Sequence, residues 1–541
     1  MPVVKLYKAR FTKLVGTERK KILERLPFIG LDIESVEDDS IRVEYSPNRP
    51  DFSSDYGIAR ALKGVMGIEV GLPHYETSPS GLKVHVDKRL SKVRPFIACS
   101  VAKDLEMDDE TVRQLISMQE DLHNGPGRRR KRAAIGFHDL DSISGPLYYD
   151  AVEPSFRFVP LGETKEMTLS RILTETEPGR VYGEAFSGAK RYPVLRDSKD
   201  VVLSFPPIIN GTKTMVSTAT RNIFVDVTST DPKAGADVLA IIASALSDAG
   251  AALESVRIQY DGRVATTPDL AVSKMRLDPN LVREVTGLGL TLKEMRACIA
   301  RSRLGVEGGH VLCPRYRTDL LHPVDIAEEV ALGYGIDRML PVYPPSKQPG
   351  TFSSIGQLLE VIATTMASAG MTEVMSFELL DEASLYGKFD RPSPNRISVE
   401  NPRSLEHSVL RDSLVPSLML ILSRNLKEEY PQRIFEVGRA YQPTPDGIEE
   451  SWHLCVLIAH ANSGFSDAKM YLEACYRTLL GARVGTSSAN HWAFAEGRCA
   501  SVSVAGNRVG YAGEIKPSSI ASFGINVPVS GFEVDLSTLL R

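Results

Sequence analysis

The chain has 541 residues, too many for one hydrophobic core, and this length predicts roughly three to five domains. Its hydrophobic content of 43% and charged content of 24% are those of an ordinary globular protein. The net charge of -4, from 64 basic and 68 acidic residues, excludes a globally basic nucleic-acid binder but permits local basic patches.

The sequence also argues against metal-thiolate, secreted and membrane proteins. No two cysteines form a C-x-x-C pair, so a zinc ribbon or thioredoxin-type site is not expected. Charges interrupt every apolar run of the N-terminus, which is not typical of a signal peptide. No segment approaches the roughly 18 consecutive apolar residues that span a bilayer. We therefore expect a cytoplasmic protein without membrane segments, whose cysteines are reduced and mostly buried. These cysteines are Cys99, Cys298, Cys313, Cys455, Cys475 and Cys499.

Residues 1–90 are predicted to form a small α/β region. The segment LPFIGLDIESVEDDSIRVEYSPNRPD alternates as short strands do, and its SPNRPD turn opens a helix over SSDYGIARALKGVMG. Ser53 or Ser54 can cap this helix, and Asp55 complements the helix dipole in the first turn.

Residues 91–262 are predicted to be strand-rich, with turn signals at HNGPG, EPG and NGT. This region contains the basic run RRRKR, Arg128 to Arg132. Two interpretations of the run stay open. It is either a solvated loop tip or a contact for nucleic-acid phosphates, because five adjacent cations create a local positive field.

Residues 267–343 are predicted to form a compact helical unit. Asp278 before a proline starts one helix, and Thr291 with Glu294 three residues later is a capping box for the next. A short strand at HVLCPRYR and a third helix follow. Two short helices, a strand and another helix suggest a winged-helix-like unit.

Residues 344–541 follow a proline-rich linker, MLPVYPPSKQPG, and begin with the helix SSIGQLLEVIATTMASAG. Strands such as RIFEVGRAYQ and WHLCVLIAHA then alternate with helices, which predicts an α+β region with a largely antiparallel sheet. The fold class predicted for the whole chain is therefore α+β multidomain.

Four carboxylates crowd the start of the third helix of residues 267–343, in RTDLLHPVDIAEEVALGYG. Pro323 suits the first turn of this helix, and no helix breaker occurs before Gly333. Helical periodicity places three of the acids within an arc of about 100°. Dipole complementarity is one explanation, and a hard cation such as Mg²⁺ bound by their oxygens is the other. The four acids are Asp319, Asp325, Glu328 and Glu329.

Blocks along the chain resemble the β subunit of phenylalanyl-tRNA synthetase. They are SPNRPDFSSDYGIARAL, IGFHDLDSISGPLYYDAV, FRFVPLG, SFPPIING, FVDVTSTD, DLLHPVDIAEEVALGYG, SVENPRSLEHSVLRDSLVPSLM and RIFEVGRAYQ, and they follow the family's order over nearly the whole chain. The resemblance is to the archaeal and eukaryotic form, because neither the N-terminal tRNA-binding domain nor the C-terminal anticodon-binding domain of the bacterial form is expected.

The resemblance implies a partner and a cofactor. The partner is the α subunit, in a heterotetramer of two α and two β subunits that binds tRNA(Phe) and forms phenylalanyl-tRNA, AMP and diphosphate. ATP and L-phenylalanine are expected in the α subunit's site. The cofactor is Mg²⁺, and the family's ligands correspond by motif to Asp319, Asp325, Glu328 and Glu329.

The resemblance further implies that residues 91–262 form an editing domain that hydrolyses mischarged tyrosyl-tRNA(Phe). Its catalytic residues correspond by motif to Ser204, Asp226 and Thr228, and Leu195 corresponds to a substrate-binding residue. His138 in IGFHDL is a further polar candidate. An alternative for the SFPPIING and FVDVT motifs is a structural turn and a strand-end cap.

The last region resembles a degenerate class II synthetase core. No G-x-G-x-G-x-x-R segment occurs, so amino-acid activation is not expected on this chain. Arg411 in SVLRDS is expected to form a salt bridge at a subunit interface rather than to mimic a catalytic arginine. Two other hypotheses stay open, namely a free-standing aminoacyl-tRNA hydrolase and a non-catalytic nucleic-acid-binding scaffold.

Overall fold

The computed structural model describes residues 2–344, 349–392 and 395–537. The chain is a mixed α/β protein with several sheets, and it divides between Val342 and Tyr343 into two compact units. The division falls in the proline-rich segment predicted as a linker, of which residues 345–348 lie outside the described residues. Each unit is described by itself.

The first unit begins with a small three-stranded antiparallel sheet packed against helices, in the order β1–β3–β2. The Oγ of Ser54 accepts a hydrogen bond from the Gly57 N–H at 3.3 Å, which confirms a predicted cap and decides between the two serines. The elements are β1 (Val3–Tyr7), α1 (Lys8–Val15), α2 (Arg19–Arg25), β2 (Leu31–Val36), β3 (Ser40–Tyr45) and α3 (Asp55–Val65).

A ten-stranded sheet follows, in the order β12–β11–β10–β7–β4–β14–β5–β13–β6, with β15 paired to β14 beside this path. Strands β8 and β9 pair separately. The elements are β4 (Ser78–Val86), β5 (Phe96–Lys103), α4 (Asp109–Asn124), β6 (Ala133–Asp139), β7 (Leu147–Val152), β8 (Arg157–Phe158), β9 (Met167–Thr168), α5 (Leu169–Glu175), α6 (Glu177–Tyr182), β10 (Tyr192–Arg196), β11 (Val202–Phe205), β12 (Ile209–Asn210), β13 (Ile223–Ser229), α7 (Pro232–Asp248), β14 (Ala252–Tyr260) and β15 (Arg263–Thr267).

Alternation along β13 gives the ten-stranded sheet two different faces. Ile223, Val225 and Val227 pack under α4 and α7, whereas Phe224 points into a second core that also contains Leu203 of β11. Strands β10, β7, β4, β14 and β5 lie between β11 and β13 in the sheet order. The sheet therefore curls over, because its second face brings these two distant strands together.

The first unit ends with three helices on a small antiparallel sheet of order β16–β18–β17. Asp278 caps α8, and Thr291 with Glu294 forms the capping box of α9, as the sequence predicted. Helix α10 continues through Gly333, where a Cβ would lie 2.0 Å from the Cys298 carbonyl oxygen, so this glycine permits close packing rather than ending the helix. The elements are β16 (Ser273–Arg276), α8 (Pro279–Thr286), α9 (Leu292–Arg301), β17 (Gly305–Glu307), β18 (His310–Cys313) and α10 (Pro323–Tyr334).

The second unit is built on a seven-stranded sheet of order β19–β22–β23–β27–β26–β25–β24, in which every neighbouring pair except β19–β22 is antiparallel. Helices α11 and α14 cover one face, and α13 and α15 pack on the other. The elements are α11 (Ser354–Ser368), β19 (Thr372–Glu373), β20 (Leu379–Leu380), α12 (Glu382–Leu385), β21 (Val409–Leu410), α13 (Val415–Arg424), β22 (Gln432–Thr444), β23 (Gly447–Ala459), α14 (Phe465–Leu480), β24 (Val484–Ser488), β25 (Phe494–Val504), β26 (Asn507–Ile515), α15 (Pro517–Ser522) and β27 (Val529–Asp535).

The predictions about cysteines and membrane segments can also be compared with the structure. All six cysteines are buried and free, which confirms the prediction of reduced thiols. In the described ranges, none of the helices combines the length and the apolar character that a membrane span requires.

Candidate functional site

A cavity of about 380 Å³ lies where β6, β11 and β13 approach one another. Its wall includes Ser204 of β11 and Asp226 of β13, two of the residues predicted from the sequence. The Ser204 Oγ lies 3.5 Å from the Asp226 Oδ1, and both side chains are buried. The two positions are 22 residues apart in the sequence and lie on strands that are not neighbours in the sheet. They meet because the sheet curls.

His138 of β6 fixes the position of the Asp226 carboxylate. Its Nε2 lies 2.8 Å from the Asp226 Oδ1, and its Nδ1 lies 2.9 Å from the Thr214 Oγ. The ring therefore forms hydrogen bonds through both nitrogens, to the Asp226 carboxylate on one side and to the Thr214 hydroxyl on the other. The hydrogen bonds from Thr214 through His138 thus hold the Asp226 carboxylate of the cavity wall in one orientation.

Gly136 leaves the space that this arrangement needs. It lies directly opposite Asp226 in the β6–β13 register. A Cβ at position 136 would lie 2.5 Å from the Asp226 Oδ1 and 2.6 Å from the His138 Nε2. Any side chain at this position must therefore displace one of the two groups.

Leu195 and Thr228 do not line the cavity. Leu195 is fully buried in the core with Tyr149 and Leu203, and it lies opposite Ser204 in the β10–β11 register. Thr228 lies on the same face of β13 as Asp226, but Arg94 covers it, donating from Nε to the Thr228 Oγ at 2.9 Å and from Nη2 to the backbone oxygen at 2.7 Å. The structure thus brings Ser204 and Asp226 together with His138 and leaves the other two predicted residues outside the wall.

The wall also contains Glu120 and His123, which were missed from the sequence, and Arg130 of the RRRKR run. The His123 Nε2 accepts from the Ile135 N–H at 2.9 Å, so its Nδ1 carries the proton and donates to Glu120 at 3.2 Å. Arg130 donates to the same carboxylate at 2.8 Å. The His123 hydrogen bond, together with Arg130 and against the opposing effect of burial, lowers the pKa of Glu120 to about 2. The wall therefore carries a second, permanently ionised acid.

The Arg130 guanidinium is incompletely satisfied. It stacks over the Tyr182 ring at 4.3 Å and donates to the Ile208 backbone oxygen at 3.0 Å. Its Nε is buried and has no hydrogen-bond partner among the described residues. The RRRKR run is the sequence signal that pointed to Arg130.

The rest of the basic run is only partly available to a ligand. Lys131 pairs with Glu184 at 2.9 Å, and the Arg132 Nε pairs with Asp231 at 3.0 Å. The side chains of Arg128 and Arg129 are exposed and form no ion pair within the described parts of the chain. The local positive field therefore comes from two arginines rather than from five cations.

Protein groups bind three of the four predicted magnesium ligands. Arg317, which is almost fully buried, donates to both oxygens of Asp319 at 2.9 and 2.7 Å and also pairs with Glu329. Asp325 caps α10, accepting from the Leu321 and His322 N–H groups at 2.7 Å each.

Glu328 is the exposed member of the set, and it forms no ion pair within the described residues. Burial and the charges of Glu329, Asp319 and Asp325 raise the pKa of its carboxyl. Across the described residues, no group of three or more His, Cys, Asp or Glu side chains is arranged to hold a metal ion. All four predicted ligands are oxygen ligands, as a hard cation prefers, and in this structure a guanidinium neutralises two of them.

Arg411 lies inside the second unit rather than at an exposed surface. It is 1% exposed, its Nη1 pairs with Glu436 at 2.8 Å and donates to Ser376 at 2.7 Å, and its Nε donates to the Arg439 backbone oxygen at 2.8 Å. The salt bridge expected at a subunit interface is therefore an internal one.

Three family models match consecutive parts of the chain. They are described as the B3/4 domain over residues 129–240, the tRNA synthetase B5 domain over 275–336, and the phenylalanyl tRNA synthetase beta chain CLM domain over 336–536. Ser204, Asp226 and most other residues that line the cavity beside β13 fall in the first of these matches. The order of domains defines the class of protein, a component of an aminoacyl-tRNA synthetase.

Full-length relatives identify the family within this class. The phenylalanine--tRNA ligase beta subunit of Archaeoglobus fulgidus is 41% identical over 99% of this chain and 98% of its own length. That of Methanococcoides burtonii is 36% identical over 99% and 100%. A solved N-terminal fragment of the phenylalanyl-tRNA synthetase beta subunit from Pyrococcus horikoshii superposes with a TM-score of 0.60 at 33% identity, covering 62% of this chain and 99% of the fragment. The chain belongs to the phenylalanine--tRNA ligase beta subunit family, which confirms the resemblance seen in the sequence.

Proposed function

We propose that the chain is the β subunit of a cytoplasmic heterotetramer of two α and two β subunits. This enzyme uses ATP to join L-phenylalanine to tRNA(Phe) and releases AMP and diphosphate. The full-length match to archaeal β subunits supports the proposal. ATP and L-phenylalanine bind to the α partner, because this chain has no G-x-G-x-G-x-x-R segment and its Arg411 is bound internally.

In the same proposal, the cavity beside β13 hydrolyses tyrosyl-tRNA(Phe) that the synthetic site has formed in error. The observation that carries this assignment is the pair Ser204 and Asp226 in the cavity wall, with His138 hydrogen-bonded to Asp226 from behind the wall. Tyrosine differs from phenylalanine by one hydroxyl group, which a hydrophobic synthetic pocket rejects only weakly. A second cavity with a buried acceptor can select for that hydroxyl.

The residues of the cavity have different roles in this reaction. The Asp226 carboxylate accepts the phenolic O–H, and the Ser204 hydroxyl is the second polar group within reach of the same oxygen. Water then adds to the ester carbonyl, which releases tyrosine and the 3′-terminal hydroxyl of the tRNA. Thr228 and Leu195 act as positioning residues, because Thr228 is held by Arg94 and Leu195 lies opposite Ser204 on the neighbouring strand.

The other charged groups have separate roles in the proposal. Arg128 and Arg129 are exposed, and neither is paired with a carboxylate in the described parts of the chain. Both are therefore suited to tRNA phosphates, which proteins contact mainly through Lys and Arg side chains. We assign no step to a magnesium ion at the α10 cluster, because protein groups already bind Asp319, Asp325 and Glu329.

The test is deacylation of tyrosyl-tRNA(Phe) by the purified complex. We expect Asp226→Asn to slow deacylation by at least about tenfold, the loss of one hydrogen bond to a charged group, and to leave phenylalanylation unchanged. The matched control is Asp200→Asn, since Asp200 lies in an exposed loop. Unchanged deacylation in Asp226→Asn would refute the editing site.

The same purification separates the other hypotheses. A chain that deacylates without a second synthetase subunit would be a free-standing hydrolase. A chain that binds tRNA but shows neither activity would be a scaffold.

A further inference from the structure

A second cavity, of about 360 Å³, opens on the seven-stranded sheet of the unit Tyr343–Arg541. Its floor is formed by β23, β26 and β27, on the face that packs against α13 and α15 elsewhere. Ser451, His453 and Glu533 all line it. Neither the editing chemistry nor the aminoacylation chemistry uses these residues.

The three side chains form a continuous hydrogen-bonded chain. The Ser451 Oγ lies 2.9 Å from the His453 Nε2, and the His453 Nδ1 lies 2.7 Å from the Glu533 Oε1. A carboxylate can only accept, so the imidazole carries its proton on Nδ1 and presents a lone pair at Nε2. The serine hydroxyl therefore donates to the histidine, which is the arrangement that activates a serine as a nucleophile.

The sheet itself builds this arrangement. Ser451 and His453 are two residues apart on β23, so their side chains share a face. In the β23–β27 register Glu533 lies opposite Cys455, which places its carboxylate diagonally across from His453. The register of the strands, rather than mobile loops, therefore holds the three hydrogen-bonded side chains in place.

Further contacts fix the acid. The Ser413 hydroxyl donates to the Glu533 Oε2 at 2.5 Å, and the Leu414 N–H donates to Oε1 at 3.1 Å. Burial alone would raise the pKa of Glu533, but the hydrogen bond and charge of His453 lower it below its usual value. Burial alone would lower the pKa of His453, and the Glu533 carboxylate raises it instead. The acid therefore stays ionised beside a histidine that accepts a proton readily.

The rest of the cavity wall resembles a binding site for a small planar molecule. The His491 ring stacks on Tyr511 with centroids 4.3 Å apart, and burial lowers the pKa of His491 to about 4, so this ring is neutral. The Trp492 indole also lines the cavity, with the Arg391 guanidinium 3.8 Å over its ring. Arg508 also lines the cavity and forms no ion pair with any residue that the structure describes, so it is available for a developing negative charge.

We propose that Ser451, His453 and Glu533 form a second hydrolytic site, which cleaves small carboxylic esters that carry an aromatic group. The Ser451 Oγ attacks the acyl carbon while its proton moves to the His453 Nε2, and collapse of the tetrahedral intermediate passes that proton to the departing alcohol. A water molecule then attacks the acyl-serine with the same histidine as base, releasing the carboxylic acid and restoring Ser451. The net reaction is ester plus water to acid plus alcohol.

The test uses the full chain and an alkyl fluorophosphonate. Ser451 forms an Oγ–P bond with this reagent as the P–F bond breaks and fluoride leaves. We expect one adduct, mapped to Ser451 by mass spectrometry, and hydrolysis of 4-nitrophenyl acetate that labelling abolishes. His453→Gln should slow labelling by about 100-fold, within the usual contribution of a general base. Ser451→Ala should remove both signals.

The controls separate this site from the rest of the protein. Ser501→Ala should label normally, since Ser501 bonds to Ser487 on neighbouring strands outside this cavity. Asp226→Asn should also label normally, so failure of the editing proposal would leave this result unaffected. Ser451 that remains unmodified in the folded chain, an adduct on another serine, or undiminished ester hydrolysis in Ser451→Ala would overturn the proposal.

Discussion

Substitutions at Glu328 and Glu329 test most directly the description of the acidic cluster, in which Arg317 binds Glu329 and not Glu328. Glu329→Gln keeps the volume of the side chain but removes a charged acceptor of the buried Arg317 guanidinium. Losing one partner of a buried pair costs about 3–5 kcal/mol when the other charge is left alone. Arg317 still binds Asp319, so the expected cost is the loss of one charge-assisted hydrogen bond, about 2–3 kcal/mol.

Glu328→Gln should behave in the opposite way. Burial and like charges raise the pKa of Glu328, so its ionised form is disfavoured in the folded state. Neutralising this residue removes that repulsion, and we expect the stability to be unchanged or slightly higher, within about 0.5 kcal/mol. The two adjacent and chemically identical substitutions therefore form a matched pair.

Native-state hydrogen exchange in peptides from α10 measures the difference. Both tryptophans, Trp452 and Trp492, lie in the second unit, so intrinsic fluorescence does not report on the first unit. We expect amide exchange across α10 to accelerate by roughly 30–140-fold in Glu329→Gln, the equivalent of 2–3 kcal/mol. Equal effects of the two substitutions, or a larger effect of Glu328→Gln, would refute the guanidinium-centred description of the cluster.

Two further predictions concern the cavity beside β13 and the exposed arginines of the basic run. Gly136→Ala should reduce tyrosyl-tRNA(Phe) deacylation by at least about tenfold, because its methyl group would meet the Asp226 and His138 side chains, and phenylalanylation by the same complex is the control. Replacing Arg128 and Arg129 with alanine should weaken tRNA binding and reduce the slope of log K against log salt by about one to two. Arg132→Ala is the control and should change the slope less, because Arg132 is already paired with Asp231. An unchanged slope in the double variant would exclude a phosphate contact at these arginines.

The sequence predicted the features of the fold that depend on neighbouring residues. The caps at Ser54, Asp278 and Thr291 were predictable because capping needs only a side-chain oxygen and N–H groups two or three residues further on. Alternation and turn signals likewise predicted a largely antiparallel sheet in the last region.

The candidate sites were predictable only in part, for two physical reasons. Ser204, Asp226 and His138 meet because the sheet curls, and no local pattern encodes that contact. For the acidic cluster the missing information was local, because Arg317 stands two residues before Asp319, and counting only the acids overlooked the cation that neutralises them.

The hydrogen bond between His138 and Asp226 limits the selectivity that the proposed editing site can reach. A buried group that is left unpaired by the wrong substrate rejects it by about 10⁴–10⁵-fold, because the substrate must leave that group desolvated. Asp226 has a histidine partner at 2.8 Å within the protein itself, so phenylalanine leaves no orphaned carboxylate behind. The difference between the two amino acids is then one hydrogen bond to a charged group, about 1.5–3 kcal/mol. Selectivity for tyrosyl-tRNA of roughly 10–150-fold follows, so the synthetic site must supply the remaining discrimination.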